Sequence, residues 1–155
     1  PYMVFCHEWL QVGDGEVCAM PLSDDLTTAT GEPVVLFRAS EPKWVCPVRE
    51  ATEFVTDGPF LYRTKTGALL MLWSSFGDKG YAETVAQSSD GTLFGKWKQE
   101  EVPLMSENGG HGMLFTTFDG KLRLVLHAPN SPAGAERAHY FPIADCGDHL
   151  ALELA

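Results

Sequence analysis

The chain has 155 residues, enough for one domain with its own core, and its 45% apolar and 21% charged residues give a globular profile. Eleven basic against twenty-one acidic residues leave a net charge of −10, which argues against nucleic acid and anionic membranes as partners. No apolar run approaches the roughly 20 residues that span a bilayer, no secretory signal pattern is present, and four cysteines without a Cys-x-x-Cys pair exclude zinc-ribbon and thioredoxin-like readings.

Helical periodicity is missing from every window of useful length. Short apolar or β-branched runs separated by Gly, Asp, Asn and Pro replace it, which predicts an all-β fold. In chain order the first strands are Tyr2–His7, Glu16–Leu22 after the turn Gly13-Asp14-Gly15, and Pro33–Ala39 after Thr30-Gly31-Glu32. A second group holds Pro59–Thr64, Leu69–Ser74, Glu83–Ser88 and Lys96–Glu101. The third holds Gly112–Thr117, Lys121–His127, Ala138–Ile143 and Leu150–Leu154. The cysteines read by default as buried free thiols.

The second and third groups look like copies of one another. Asp57-Gly58-Pro59-Phe60-Leu61-Tyr62-Arg63 turns at Thr66-Gly67 into Leu69-Leu70-Met71-Leu72-Trp73-Ser74, and His111-Gly112-Met113-Leu114-Phe115-Thr116 turns at Asp119-Gly120 into Lys121-Leu122-Arg123-Leu124-Val125-Leu126-His127. A repeat of roughly 50 residues built from short strands predicts a β-propeller. The expectation is about two and three-quarter blades of four antiparallel strands, incomplete over 1–40 and complete over 54–102 and 109–155. The chain opens on Pro1 directly in a strand-like run, so residues 1–155 read as one domain, the C-terminal portion of a larger propeller. The innermost strand of the first blade is expected to precede Pro1. Blades that do not close a ring expose edges and faces, so self-association, or docking of the absent N-terminal part, is expected.

Innermost strands of successive blades start at one central channel, so Asp57 and His111 are expected to meet there. Asp57 precedes Gly-Pro, which holds it rigidly as a channel-facing carboxylate or as a turn cap. His111 lies among glycines that allow close approach of a ligand or an ion, and it reads as a metal ligand or as a hydrogen-bonded structural histidine. His7-Glu8-Trp9 ends a strand. It fails the metalloprotease pattern because position 11 is Gln. Glu8 and Trp9 together suit a sugar face, with the ring stacking on C–H groups and the carboxylate accepting hydroxyl hydrogens, or Trp9 is a half-buried rim residue. Arg137, ahead of Ala138-His139-Tyr140-Phe141-Pro142, reads as a substrate contact or as half of a surface ion pair.

Six segments, in this order, resemble the later part of glycoside hydrolase family 43. They are Pro21-Leu22-Ser23-Asp24-Asp25-Leu26, Leu36-Phe37-Arg38-Ala39-Ser40, Thr56-Asp57-Gly58-Pro59-Phe60, Leu72-Trp73-Ser74-Ser75, Gly110-His111-Gly112-Met113 and His139-Tyr140-Phe141-Pro142. The resemblance implies a five-bladed propeller and inverting hydrolysis of α-L-arabinofuranosyl, β-D-xylosyl or related bonds in plant-type oligosaccharides or polysaccharides. It implies three acids: a base, a modulating Asp and a general acid. The acid of the family sits in Glu-Gly-Pro, and Asp57 stands at that position here, one methylene shorter. Base and modulator would precede Pro1, so the chain alone is expected to be inactive. His111 matches a histidine that helps hold a calcium or other ion, or a water cluster, in the channel; no organic cofactor is implied. The resemblance is compatible with an extracellular or periplasmic parent. Two further readings stay open, a degenerate propeller that binds carbohydrate without cleaving it and a structural interaction propeller.

Overall fold

A computed structural model describes residues 1–153. Among these residues eleven strands form three antiparallel sheets, and one helical turn lies outside them. The first contains β1 (Tyr2–His7), β2 (Glu16–Pro21) and β3 (Val34–Arg38), in that order. The middle sheet runs β4 (Asp57–Arg63), β5 (Leu69–Gly77), β6 (Gly80–Ser88), β7 (Trp97–Gln99). The third runs β8 (Gly110–Thr116), β9 (Leu122–Ala128), β10 (Arg137–Asp145), β11 (Leu150–Leu152). These are propeller blades, each a meander of neighbouring strands, and the fold is all-β.

Strand ends differ from the sequence expectation where turns are tighter than composition suggests. The β5–β6 hairpin continues to Gly77↔Gly80, because Gly80 takes a φ of +104° and Phe76 packs on Tyr81 at 5.0 Å. Strand β4 begins at Asp57 rather than Pro59, through an irregular register between Asp57 and Phe60. Strand β8 likewise begins at Gly110, with a register shift before Met113. The residues after His7 do not continue a strand: Trp9–Val12 form one helical turn, α1. Strand β11 stops at Leu152, and the last residue of the expected Leu150–Leu154 strand lies outside the described residues. Cysteine burial is uneven, since Cys18 is buried and Cys146 exposed.

The period-2 alternation of β5 divides the core. Leu69, Met71 and Trp73 face the first sheet and pack with Val17, Phe37 and Trp97. Leu70 and Leu72 face the third sheet and pack with Val85, Leu114, Leu124 and Leu126. Both faces are covered, so the strand reads as a continuous apolar run instead of an alternating one. Fully burying one such side chain is worth about 1.5–3 kcal/mol. Beyond Trp73 the same strand turns polar: Ser74 and Ser75 are fully buried, at the end where the site lies.

The middle and third sheets are also fastened at the far end of β4. Tyr62 Oη donates to Asp145 Oδ2 at 3.0 Å, and the Lys65 backbone N–H donates to the same oxygen at 2.7 Å. Thr64 Oγ1 donates to the carbonyl of Gly147.

Candidate active site

Asp57 opens β4 and His111 lies near the start of β8, so adjoining first strands bring the two together. Nδ1 of His111 is 3.2 Å from Asp57 Oδ1. The Gly58 N–H donates to that same oxygen at 3.0 Å, and Tyr81 Oη donates to Oδ2 at 2.7 Å. Gly58 has a φ of +53°, and a Cβ there would stand 2.9 Å from the His111 ring. The glycine of Asp-Gly-Pro is thus required twice, for its backbone conformation and for the space the imidazole fills.

Burial pushes the Asp57 carboxyl up, but the hydrogen bonds from His111 and Tyr81 and the Gly58 N–H outweigh it and leave the group below its ordinary value. The His111 imidazole is raised by its hydrogen bond to Asp57, against the opposing effect of desolvation. Both shifts favour the carboxylate–imidazolium form of the pair. Burial and the neighbouring Asp57 charge push the Tyr81 phenol up, so it stays a donor.

Behind His111 stands Glu83, on β6, with none of its surface exposed. Its Oε2 accepts from Ser74 Oγ at 2.5 Å and from the Gly112 N–H at 2.9 Å, while Ser74 Oγ accepts from the His111 N–H at 2.7 Å. Burial drives the Glu83 carboxyl up to about 7, with the Ser74 and Gly112 donors opposing.

Of the other expected site residues, Glu8 and Trp9 line one cavity with Asp57, of about 580 Å³, together with Arg49 and Phe76. Trp9 belongs to α1 rather than to a strand end, and one face of its ring carries the Arg49 guanidinium at 4.4 Å. Arg49 is in turn held by Glu53 through Nε at 3.0 Å and Nη2 at 3.2 Å. Arg137 lines a separate depression of about 310 Å³ with His111 and His127. Its Nη1 donates only to the carbonyls of Gly134 and Glu136, and among the described residues it has no acidic partner. Asp57 and His111 thus touch at the divide between two hollows, one holding Glu8 and Trp9, the other Arg137.

The ion expected at His111 finds little support in the donor set. Among the described residues no group of three or more His, Cys, Asp or Glu side chains is arranged to hold a metal. With Nδ1 turned to Asp57, His111 has one ring nitrogen left to offer. These residues do not form an ion cage on their own.

Tyr81, Ser74, Glu83 and Arg49 were not singled out by sequence reasoning. Glu83 had a signal: it is the lone acid in the otherwise uncharged run Tyr81–Ser88. The glycine opposite was a second, since a Cβ on Gly112 would lie 2.9 Å from Glu83 Oε1.

The model for glycosyl hydrolases family 43 matches residues 1–143. The chain belongs to that family. Among solved structures, the endo-arabinase from Bacteroides thetaiotaomicron VPI-5482 is 44% identical, with a TM-score of 0.87 over 93% of this chain and 51% of that one. A thermostable family-43 glycoside hydrolase is 21% identical, with a TM-score of 0.82 over 100% of this chain and 54% of that one. The α-L-arabinofuranosidase from Lactobacillus brevis is 18% identical, with a TM-score of 0.74 over 99% and 51%; these last two matches speak to the fold. This family-43 chain spans about half the length of each solved relative. No curated protein matches it.

Proposed function

We propose that this chain is the C-terminal part of a family-43 glycosidase propeller, that Asp57 is its general acid, and that the parent hydrolyses arabinofuranosyl or related pentosyl bonds with inversion. One observation carries the reading: in a chain of this family, a carboxylate stands at the junction of two blades, touching His111 and lining a cavity with Glu8 and Trp9. The likeness to an endo-arabinase at 44% identity supports an arabinose-containing oligosaccharide or polysaccharide as substrate. In this reading Glu8, the free edge of Trp9 and Arg137 contact sugar hydroxyls, and residues 1–40, 54–102 and 109–155 are the blade limits.

Inversion needs a protonated acid on the leaving oxygen and a second carboxylate, roughly 6.5–9.5 Å away, activating water. Within this chain Asp57 is held ionised. A carboxylate facing it across a completed channel would raise its pKa by like-charge repulsion, the shift the acid role requires. Base and modulator belong to the part of the propeller outside this chain, and the 155 residues alone are inactive. They self-associate or dock with that part through the open sheet edges. Any channel ion takes at most one nitrogen from His111 and its other ligands from water or from that part.

Two assays test this. The 155-residue chain should not hydrolyse aryl α-L-arabinofuranosides or β-D-xylosides, and clear turnover by it would show that the base is present. In the complete enzyme, Asp57→Asn should lower turnover by about 10²–10⁴-fold with binding retained. The depressed Asp57 pKa favours a second reading, a propeller that binds carbohydrate without cleaving it. Calorimetric binding of arabino-oligosaccharides by a complete protein with no turnover would establish it.

A further inference from the structure

The strongest unexplained feature is the environment of Glu83. A carboxyl group without exposed surface is costly to bury, yet only one of its oxygens is used. Oε2 takes both hydrogen bonds, and Oε1 is buried with no partner among the described residues. The backbone that Oε2 and Ser74 hold is itself unusual. His111 has a φ of +58°, a left-handed conformation that a non-glycine residue adopts at a cost. Such a conformation persists only where its surroundings impose it. Here the imposing contacts are two consecutive amides: the His111 N–H on Ser74 Oγ and the Gly112 N–H on Glu83 Oε2. Neighbouring residues leave no slack. A Cβ on Gly110 would stand 2.8 Å from Ser74 Oγ and 2.7 Å from the Tyr81 ring. Glu83 is pinned in turn, since its own N–H and carbonyl pair with Met105.

We propose that Glu83 is a positioning residue of this site: through Ser74 and the Gly112 amide it holds His111 in the left-handed conformation that sets Nδ1 against Asp57. Its catalytic consequence rests on the reading of Asp57 as the general acid, whereas the positioning itself does not. The other groups around His111 do not substitute for Glu83. Asp57 meets the ring and not the backbone, Tyr81 Oη is spent on Asp57, and the His127 ring lies 6.4 Å away with its Nε2 on Asn130. Arg137 turns to backbone carbonyls. Because both bonds fall on Oε2, that oxygen can accept them whether or not Oε1 carries a proton. A glutamine has the same shape.

The test uses the 155-residue chain in solution and needs no enzymatic activity, so failure of the glycosidase reading would not be mistaken for failure of this one. Nuclear magnetic resonance would follow the hydrogen-bonded ring N–H of His111 and the exchange of the His111 and Gly112 amides in Glu83→Gln, Glu83→Leu and Ser74→Ala. The Gln variant should keep the ring signal and both protected amides. The Leu variant should lose the ring signal and exchange both amides faster, by about tenfold for each lost hydrogen bond. Ser74→Ala should release the His111 amide and the ring while Gly112 stays protected, and it decides the matter if the Leu variant does not fold. An unchanged ring signal in folded Glu83→Leu or Ser74→Ala would overturn the proposal, as would its loss in Glu83→Gln.

Discussion

The middle and third sheets are built from the same repeat and live in different surroundings. Strand β5 is buried over seven consecutive residues, Leu69 to Ser75, whereas β10 is exposed over its first four, with Tyr140 at 63%. Among the described residues the middle sheet has a neighbour on each side, the third only on the side of β4–β7. The site follows that asymmetry. Asp57, Ser74, Tyr81 and Glu83 come from the middle sheet, and the third contributes His111 and the Gly112 amide. A buried polar network needs an immobile frame, since a half-satisfied one costs more than an apolar core. It is set in the sheet least able to move, and the more exposed sheet is fitted to it.

Core truncation should expose the contrast most strongly. Trp73→Ala in β5 should cost about 3–5 kcal/mol in a chemical denaturation experiment. Tyr140→Ser in β10 should stay within about 0.5 kcal/mol in the isolated chain; equal losses would show that the two sheets are not differently loaded. At the junction, Gly58→Ala should cost about 1–3 kcal/mol, because it forces a side chain into a left-handed conformation against the His111 ring. The Asp57–His111 ion pair should break with it, which the His111 ring resonances would report.

The pH dependence of stability sharpens the comparison further. The folded pKa of Glu83 is raised from 4.5 to about 7, so the folded state holds a proton that the unfolded state releases. Its contribution is fully present below pH 4.5 and is lost as pH rises towards about 7. Unfolding midpoints measured across that window should fall with rising pH and should flatten in Glu83→Gln. The partly exposed Asp57–His111 pair acts more weakly and in two directions. Asp57, being lowered, loses its contribution as pH falls through its folded value, and His111, being raised, loses its own as pH rises through its folded value.

Much of the architecture was legible because it repeats. Turn residues and apolar runs marked the strands to within a few positions, and the alignment of the two copies placed Asp57 on His111 before any coordinate did. What stayed hidden depends on contacts between residues far apart in the chain. Nothing near Trp9 announces that Arg49 will cover its ring, because that contact follows from where the loop before β4 returns. The helical turn at Trp9–Val12 is too short to show a period. The run around Glu83 marks it as an isolated acid in a strand, but only the packing of β6 against β8 makes it buried. Burial of a polar group is a property of its neighbours, and periodicity reports only which face a residue takes.

Strand β4 is tied to the third sheet at both ends, by Asp57 and His111 at its start and by Tyr62 and Lys65 on Asp145 at its finish. The ties are separated by the length of the strand, about 20 Å at roughly 3.3 Å per residue. Two anchors that far apart make the joint a brace instead of a hinge. The sheets cannot scissor open about either one without straining the other. A lesion at the Asp145 turn should therefore be felt at the opposite rim, as a tilt of the Asp57 carboxylate.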